Sequence, residues 1–307
     1  MRRFFLGRSP AATGVLVMLL GMLMFAMNDA MGKWLVTSYS LGQVVLIRSL
    51  AALVMLSPML WKTGAVSLTR VERPWLQLSR VVLSTIDVFG FYFAVAYMPL
   101  ADVMTYWLAG PIYVAALSPF LLGEKVGWRR WSAIVVGFIG VLVALQPGAA
   151  TLTLPALISI AGSAAFAFMI VSGRQLRNTP DSTLAFWQLM GAGIVGVVLA
   201  PFDWRPIDSS MDLALLCLLG VVSTSAHLLV NRALKLADAA AVAPLQYTLL
   251  LWAIIFGWMF FGDVPQTHML AGAALIVASG LYIVFRENWL KKNRPETAES
   301  VRSIQNG

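Results

Sequence analysis

Residues 13–36 read TGVLVMLLGMLMFAMNDAMGKWLV, an apolar run whose polar residues, Asn28, Asp29 and Lys33, come near its end. A helix of about 20 apolar residues, rising about 1.5 Å per residue, crosses the ~30 Å hydrocarbon core of a bilayer. Similar runs recur along the whole chain. They predict an all-α integral membrane protein with ten transmembrane helices, at residues 13–36, 40–61, 75–97, 102–122, 129–147, 153–173, 182–201, 212–234, 239–261 and 267–285.

The composition excludes a soluble class. Hydrophobic residues make up 59% of the 307-residue chain and charged residues 12%, against about 25% charged in soluble domains. The net charge is +8, and the basic residues lie in short loops between apolar runs. This distribution argues against a nucleic-acid partner, and we expect the protein to lie in a lipid bilayer. The single cysteine and the two histidines have no metal-ligand spacing, so we expect neither a metal nor another cofactor.

Lysine and arginine residues alternate in abundance from loop to loop. Of the 22 basic residues, 18 fall in the loops and termini of one side, and only Lys33 and Arg205 fall on the other. Basic loops stay in the cytoplasm, so both termini are predicted to be cytoplasmic in a bacterial inner membrane. Arg2-Arg3 resembles the start of a signal peptide, but the apolar run from Ala11 to Val36 exceeds the roughly 7–15 residues of a signal core, which predicts a retained first span.

The two halves of the chain resemble each other. Leu100-Ala101-Asp102 recurs as Leu236-Ala237-Asp238, and Gly123-Glu124 recurs as Gly262-Asp263, at offsets of about 140 residues. A unit of five spans is an odd number, so its second copy must be inverted in the membrane. Inverted repeats are typical of secondary transporters, although an old duplication without a transport role would leave the same pattern. The predicted units are a first repeat at 11–147, a second at 153–286 and a polar cytoplasmic tail at 287–307.

These stretches resemble the drug/metabolite transporter superfamily, in its ten-span branch of two five-span modules. The resemblance is most specific from Pro99 to Pro147 and from Pro244 to Glu287. It implies an inner-membrane carrier of small metabolites, similar to the groups that contain the bacterial riboflavin and S-adenosylmethionine importers. Amino-acid and drug exporters are a more distant resemblance.

Several polar residues fall inside the predicted spans of the first half. A charge at the bilayer centre costs about 2.5–3.5 kcal/mol on insertion scales, so each needs a partner and a reason. Helical rise places Asp29, Arg48 and Asp87 at similar depth, and Asn28 adjoins them, so we expect Arg48 to pair with one or both carboxylates. A structural ion network is the alternative to a binding site. Arg80, nearer the cytoplasmic end, is interpreted as an anchor that extends toward the interface.

The second half carries uncharged polar residues at matching positions. A shift of 140 residues, within the repeat offset, aligns Arg48 with Gln188 and Asp87 with His227. This correspondence predicts two polar clusters around one central cavity. Packing inside the protein is the alternative for each residue. The candidate substrate-binding residues are Asn28, Asp29, Arg48, Asp87, Tyr106, Trp107, Gln188, His227, Gln246 and Tyr247, and we assign no catalytic residue.

The predicted function is transport of a small solute by alternating access. If Arg48 neutralises a carboxylate, the cavity has little negative charge for a cation, which favours riboflavin, a flat and nearly neutral solute. S-adenosylmethionine, which needs an unpaired carboxylate, an amino acid, and export instead of import are the alternatives. An intramembrane enzyme is a remote one, because Ser223 and Ser225 near His227 fit no catalytic arrangement. Nothing in the pattern indicates an oligomeric state.

Overall fold

The computed structural model describes residues 10–64, 68, 73–123, 128–146, 153–176, 179–207, 209–236 and 243–292. Glu124, Ala237 and Asp238 of the repeated motifs, and most of the expected tail, lie outside these ranges. The described residues form helices and no strand. The α-helices are α1 Pro10–Ser38, α2 Leu41–Thr63, α3 Pro74–Tyr97, α4 Leu100–Trp107, α5 Gly110–Leu122, α6 Trp128–Leu145, α7 Leu154–Gln175, α8 Asp181–Leu199, α9 Ser210–Leu236, α10 Thr248–Phe256 and α11 Thr267–Lys292.

Short local signals set the ends of these helices. The Ser40 hydroxyl caps α2 by accepting a hydrogen bond from the Gln43 backbone N–H at 3.3 Å. The same helix ends at Gly64, whose φ of +81° favours glycine and whose N–H donates to Leu60 O. Pro74 starts α3 at a position where its missing N–H costs nothing.

Six helical segments of the described chain are long and apolar enough to cross a membrane. They are Thr13–Ser38, Leu41–Lys62, Pro74–Tyr97, Leu154–Ser172, Asp181–Asp203 and Ser210–Val230, the fifth of which includes a 3-10 turn at Ala200–Asp203. Shorter apolar segments follow at Trp131–Ala144, Leu245–Phe261 and Thr267–Tyr282.

The segments predicted at 102–122 and 239–261 are both broken. The first divides into α4 and α5 around Leu108 and Ala109, just before Pro111, which has no N–H to continue the helix ladder. The second contains a 3-10 turn at Ala243–Tyr247, then α10, then a π-helical turn at Gly257–Phe261. The two interruptions, at 108/109 and 247/248, are 139 residues apart, which matches the repeat offset.

The helix pairs have the same arrangement when the two halves are exchanged. Helix α1 packs on α9, and the corresponding helices of the other half, α7 and α3, pack on each other. Helix α2 packs on its own counterpart, α8, and α6 packs on its own counterpart, α11. Helices α2 and α8 run antiparallel, because Gly42 at the start of α2 lies against Ala200 and Leu46 lies against Gly196.

The second self-paired set is also antiparallel. The Ser279 hydroxyl donates to Ala133 O at 2.6 Å, whereas Gly272 lies against Ala144 at the other end of α6. Two copies of one helix that lie side by side and antiparallel have the arrangement expected of a repeat and its inverted copy.

Candidate functional site

The predicted charged cluster occurs where α1, α2, α3 and α9 meet. The indole Nε1 of Trp107 donates to Asp87 Oδ1 at 2.7 Å, and Asn28 Nδ2 donates to Asp29 Oδ1 at 3.0 Å. Arg48 Nη2 donates to Ser223 Oγ at 2.7 Å. Both carboxylates therefore have neutral donors that hold their orientation.

Two close approaches position Arg48. A Cβ at Gly220 would lie 2.2 Å from Arg48 O, so only glycine lets α9 come this near to α2, and Ser223 follows one turn later. A Cβ at Gly32 would lie 2.2 Å from Tyr92 Cε1, so Gly32 makes room for the ring. The Arg48 guanidinium lies over that ring, 5.5 Å from its centroid, as in cation–π contacts.

The prediction that Arg48 forms an ion pair with Asp29 or Asp87 is wrong for this conformation. Arg48 lies near enough to Asp29 and Asp87 to interact electrostatically with both. No salt bridge joins it to either of these described carboxylates, because the guanidinium bonds Ser223 instead. The cluster thus contains two carboxylates and one guanidinium, and the carboxylates are not neutralised by direct contact.

The interpretation of Arg80 as an interfacial anchor stays a prediction. Its side chain is half-buried, and its Nε and Nη1 atoms are buried and have no hydrogen-bond partner among the described residues.

The side chains of the cluster keep accessible surface. Asp29 and Asp87 are half-buried. His227 is exposed, with its ring edge-on to Phe25 at 4.7 Å between centroids, and it interacts electrostatically with Arg48 and Arg80. These three side chains are therefore accessible to a solute.

The other candidates are distributed unevenly. Gln188 on α8 and Gln246 in the 3-10 turn are half-buried, and neither forms a hydrogen bond with a described residue of the charged cluster. Tyr106 and Tyr247 are buried in an apolar cluster with Ile112 and Ile276. Neither tyrosine forms a hydrogen bond with a described residue of the charged cluster.

Sequence reasoning left Tyr92 and Ser223 out of the site. Tyr92 is 2% exposed and lies under Arg48, and Ser223 is 4% exposed and accepts its hydrogen bond. A signal existed for Ser223, since it lies four residues before His227 and therefore on the same helix face. No sequence signal connects Ser223 to Arg48, which lies in the other half of the chain.

Polar contacts also join the halves at one end of the bundle, formed by the loops at 39–40, 200–209 and 262–266, which the charge bias assigns to the outside. We call it the outer end. Lys33 forms a salt bridge with Asp263, and its ammonium lies 4.6 Å from the Phe261 ring centroid. Tyr39 Oη donates to Asp212 Oδ2 at 2.6 Å. These contacts join the two halves of the chain at the outer end.

A family model matches the chain twice, at residues 12–146 and 153–285, once for each half. The chain belongs to the EamA-like transporter family. EamA-like proteins are membrane transporters and not enzymes, which confirms the resemblance, the transport class and a multi-pass inner-membrane location.

Three curated relatives match most of the chain. An S-adenosylmethionine uptake transporter of Rickettsia conorii is 26% identical over 286 residues, 93% of this chain and 97% of that protein. A riboflavin transporter of Vibrio cholerae is 29% identical over 288 residues, 92% and 96% of the two chains. A pseudopaline exporter of Pseudomonas aeruginosa is 26% identical over 269 residues, 87% and 94%. A solved crystal structure with 16% identity and a TM-score of 0.62 covers 91% of this chain and 100% of its own, and it agrees with the fold alone.

Proposed function

We propose that this EamA-like transporter imports a small metabolite with a cationic centre, of the S-adenosylmethionine type, by alternating access. The observation that carries the proposal is the charge of the cluster. Asp29 and Asp87 are bonded by neutral donors and Arg48 by a hydroxyl, so the cluster carries one net negative charge when both carboxylates are ionised.

S-adenosylmethionine complements that charge. Its sulfonium, ammonium and carboxylate sum to one net positive charge, which is opposite to the charge of the cluster formed by Asp29, Arg48 and Asp87. A charge inside a low-dielectric site is costly when it is uncompensated, which gives a cationic solute an advantage over a neutral one. The earlier preference for riboflavin rested on a carboxylate neutralised by Arg48, and that premise does not hold.

Riboflavin is the second candidate, and the packed aromatic side chains of Phe91, Tyr92 and Trp107 favour it. Trp107 packs edge-on against Phe91 with centroids 5.3 Å apart, and Phe91 packs edge-on against Tyr92 at 5.5 Å. A flat ring system can stack on such side chains. The relatives named as riboflavin transporters are as similar to this chain as those named for S-adenosylmethionine.

The proposed architecture has ten spans, two inverted five-span repeats at 11–147 and 153–286, and both termini in the cytoplasm. The antiparallel packing of α2 on α8 and of α6 on α11 supports the inversion. The concentration of 18 basic residues on one side supports the orientation. Import in place of export is supported by the names of the uptake relatives, whereas the exporter of Pseudomonas aeruginosa favours the reverse.

Uptake of labelled solute into proteoliposomes tests this proposal. We expect the wild type to accumulate S-adenosylmethionine, faster when the vesicles are preloaded with unlabelled solute, and without chemical conversion. Asp87→Asn keeps an oxygen acceptor for Trp107 but removes the charge, and we expect uptake at low concentration to fall about tenfold or more, since about 1.4 kcal/mol is a factor of ten.

The matched control is Asp203→Asn, which removes an exposed carboxylate far from the cluster. It should transport like the wild type. Uptake of riboflavin but not of S-adenosylmethionine by the wild type would reject the proposed solute. If folded protein in the vesicles takes up neither S-adenosylmethionine nor riboflavin, both candidate solutes are rejected.

A further inference from the structure

A second polar patch lies on α3, on the cytoplasmic side of Asp87. Gln77 and Arg80 are three residues apart, so they are neighbours on one face of the helix. Asp87 follows Arg80 by seven residues, which is two turns of helix and about 10 Å of rise along the same face. The face thus has a cation and an amide at one end and a carboxylate at the other.

Four polar atoms of the patch are buried and make no hydrogen bond to a residue that the structure describes. Gln77 is 5% exposed, and both its Oε1 and its Nε2 have no hydrogen-bond partner among the described residues. Arg80 Nε and Nη1 are also buried and have no hydrogen-bond partner among the described residues. Buried polar groups are nearly always bonded, so four unbonded atoms on two adjacent side chains need an explanation.

The intervening polar residue does not provide a partner. The Ser84 hydroxyl, one turn beyond Arg80, donates to Val81 O at 2.9 Å. Asp181, exposed in the first turn of α8, attracts Arg80 electrostatically but makes no salt bridge with it. His227 interacts electrostatically with both Arg80 and Arg48, so the patch lies near the charged cluster.

We propose that Gln77 and Arg80 form the subsite for a carboxylate of the transported solute. The Arg80 guanidinium and the Gln77 amide nitrogen donate to the carboxylate, and Gln77 Oε1 accepts from an adjacent ammonium group. Charge-assisted hydrogen bonds to a guanidinium are the strong ones, and carboxylate is a preferred partner. This inference rests on the proposed function and narrows its substrate class to extended solutes with an amino-acid head and a cationic centre.

The length of the patch agrees with such a solute. A head group at Arg80 leaves about 10 Å of helix rise before Asp87, which is enough for a short chain and a second charge. Riboflavin has no carboxylate and would leave Arg80 without its partner. Arg80 therefore acts as a specificity-determining residue that discriminates between the two candidate solutes.

The test compares S-adenosylmethionine with its decarboxylated analogue, both labelled, in equilibrium binding to the purified full-length protein. We expect the wild type to prefer the carboxylate form about tenfold or more. Arg80→Gln and Gln77→Leu should lose the preference, and Arg80→Lys, which keeps the charge, should retain part of it. Lys62→Gln removes an exposed cation at the cytoplasmic end of α2 and should keep the full preference.

Thermal unfolding confirms that each variant is folded before binding is compared. An equal preference in Arg80→Gln and in the wild type would overturn the subsite and leave S-adenosylmethionine transport standing. If the wild type binds neither adenosyl compound but binds L-methionine in an Arg80-dependent way, the subsite stands and the proposed solute fails. Arg80-dependent binding of inorganic phosphate, without binding of L-methionine, would overturn the subsite as a place for the head group.

Discussion

The salt bridge between Lys33 and Asp263 predicts how the outer end of the transporter opens. Lys33 belongs to α1 in the first half, and Asp263 lies between the π-helical turn and α11 in the second half. Opening the outer end separates them. In Asp263→Asn the closed conformation keeps a buried ammonium, with Lys33 8% exposed, and loses the charge that compensates it.

The magnitude follows from the burial of the pair. At an effective dielectric constant of about 20, unit charges about 4 Å apart attract by about 4 kcal/mol. The asparagine oxygen and the Phe261 ring keep part of this stabilisation, the ring contributing about 0.5–2 kcal/mol. We therefore expect the closed state to lose about 1–3 kcal/mol, a factor of roughly 5–150 in the population of the open state.

Labelling of an introduced cysteine measures this population. Cys217, the free thiol of the chain, is first replaced by serine. Ala30, one turn deeper than Lys33 and 7% exposed, is then replaced by cysteine. In Asp263→Asn, a membrane-impermeant thiol reagent added outside should react faster with this cysteine by about the same factor.

Asp203→Asn is the matched control, because Asp203 lies at the same end but pairs with Arg205 inside its own half. It should leave the labelling rate unchanged. An unchanged rate in Asp263→Asn, or an equal rise in both variants, would refute the assignment of this salt bridge to closure of the outer end.

Two further predictions concern packing and hydrogen bonding. In Gly280→Ala the new Cβ would lie 1.4 Å from Tyr247 Oη, so we expect a loss of about 1–3 kcal/mol in unfolding free energy, measured by thermal unfolding. Adding Tyr247→Phe should recover part of it, and no recovery would contradict the assigned clash. Trp107→Phe removes the hydrogen-bond donor to Asp87 and should lower the free energy of unfolding by about 1.5–3 kcal/mol, measured as a lower unfolding temperature. A variant as stable as the wild type would show that this bond does not stabilise the helices.

The sequence predicted which helices bring the charges together, but not which atoms bond. The depth argument placed Asp29, Arg48 and Asp87 at one level, and all three do interact electrostatically. The hydrogen-bond partner of Arg48 is Ser223, 175 residues away, and the contact depends on the close approach of α9 at Gly220. Helix rotation and separation of this kind are set by packing and leave no periodic signal.

The broken helices illustrate the same limit. Pro111 lies at the break in the segment 102–122, but the run is largely apolar, and hydropathy predicts one helix. In the second half the irregular backbone is a 3-10 turn and a π-helical turn, which satisfy backbone groups within the segment and need no distinctive composition.

Aromatic residues were the least predictable part of the site. Tyr106 and Trp107 are adjacent, so they point to different sides of α4, and hydropathy treats both sides as apolar. The structure turns Trp107 toward Asp87 and Tyr106 into the apolar cluster. Only the positions of neighbouring helices decide which of two such rings contacts the cavity.

Equilibrium binding of S-adenosylmethionine to the purified wild type and to Asp29→Asn/Asp87→Asn tests whether the carboxylates bind a cationic solute. The two substitutions remove both ionisable carboxyl groups from the cluster and keep the size of both side chains. We expect affinity for S-adenosylmethionine to fall about a hundredfold or more, about 2.7 kcal/mol, while any affinity for riboflavin changes little. Equal affinity of the two proteins for S-adenosylmethionine would contradict a carboxylate site for a cationic solute.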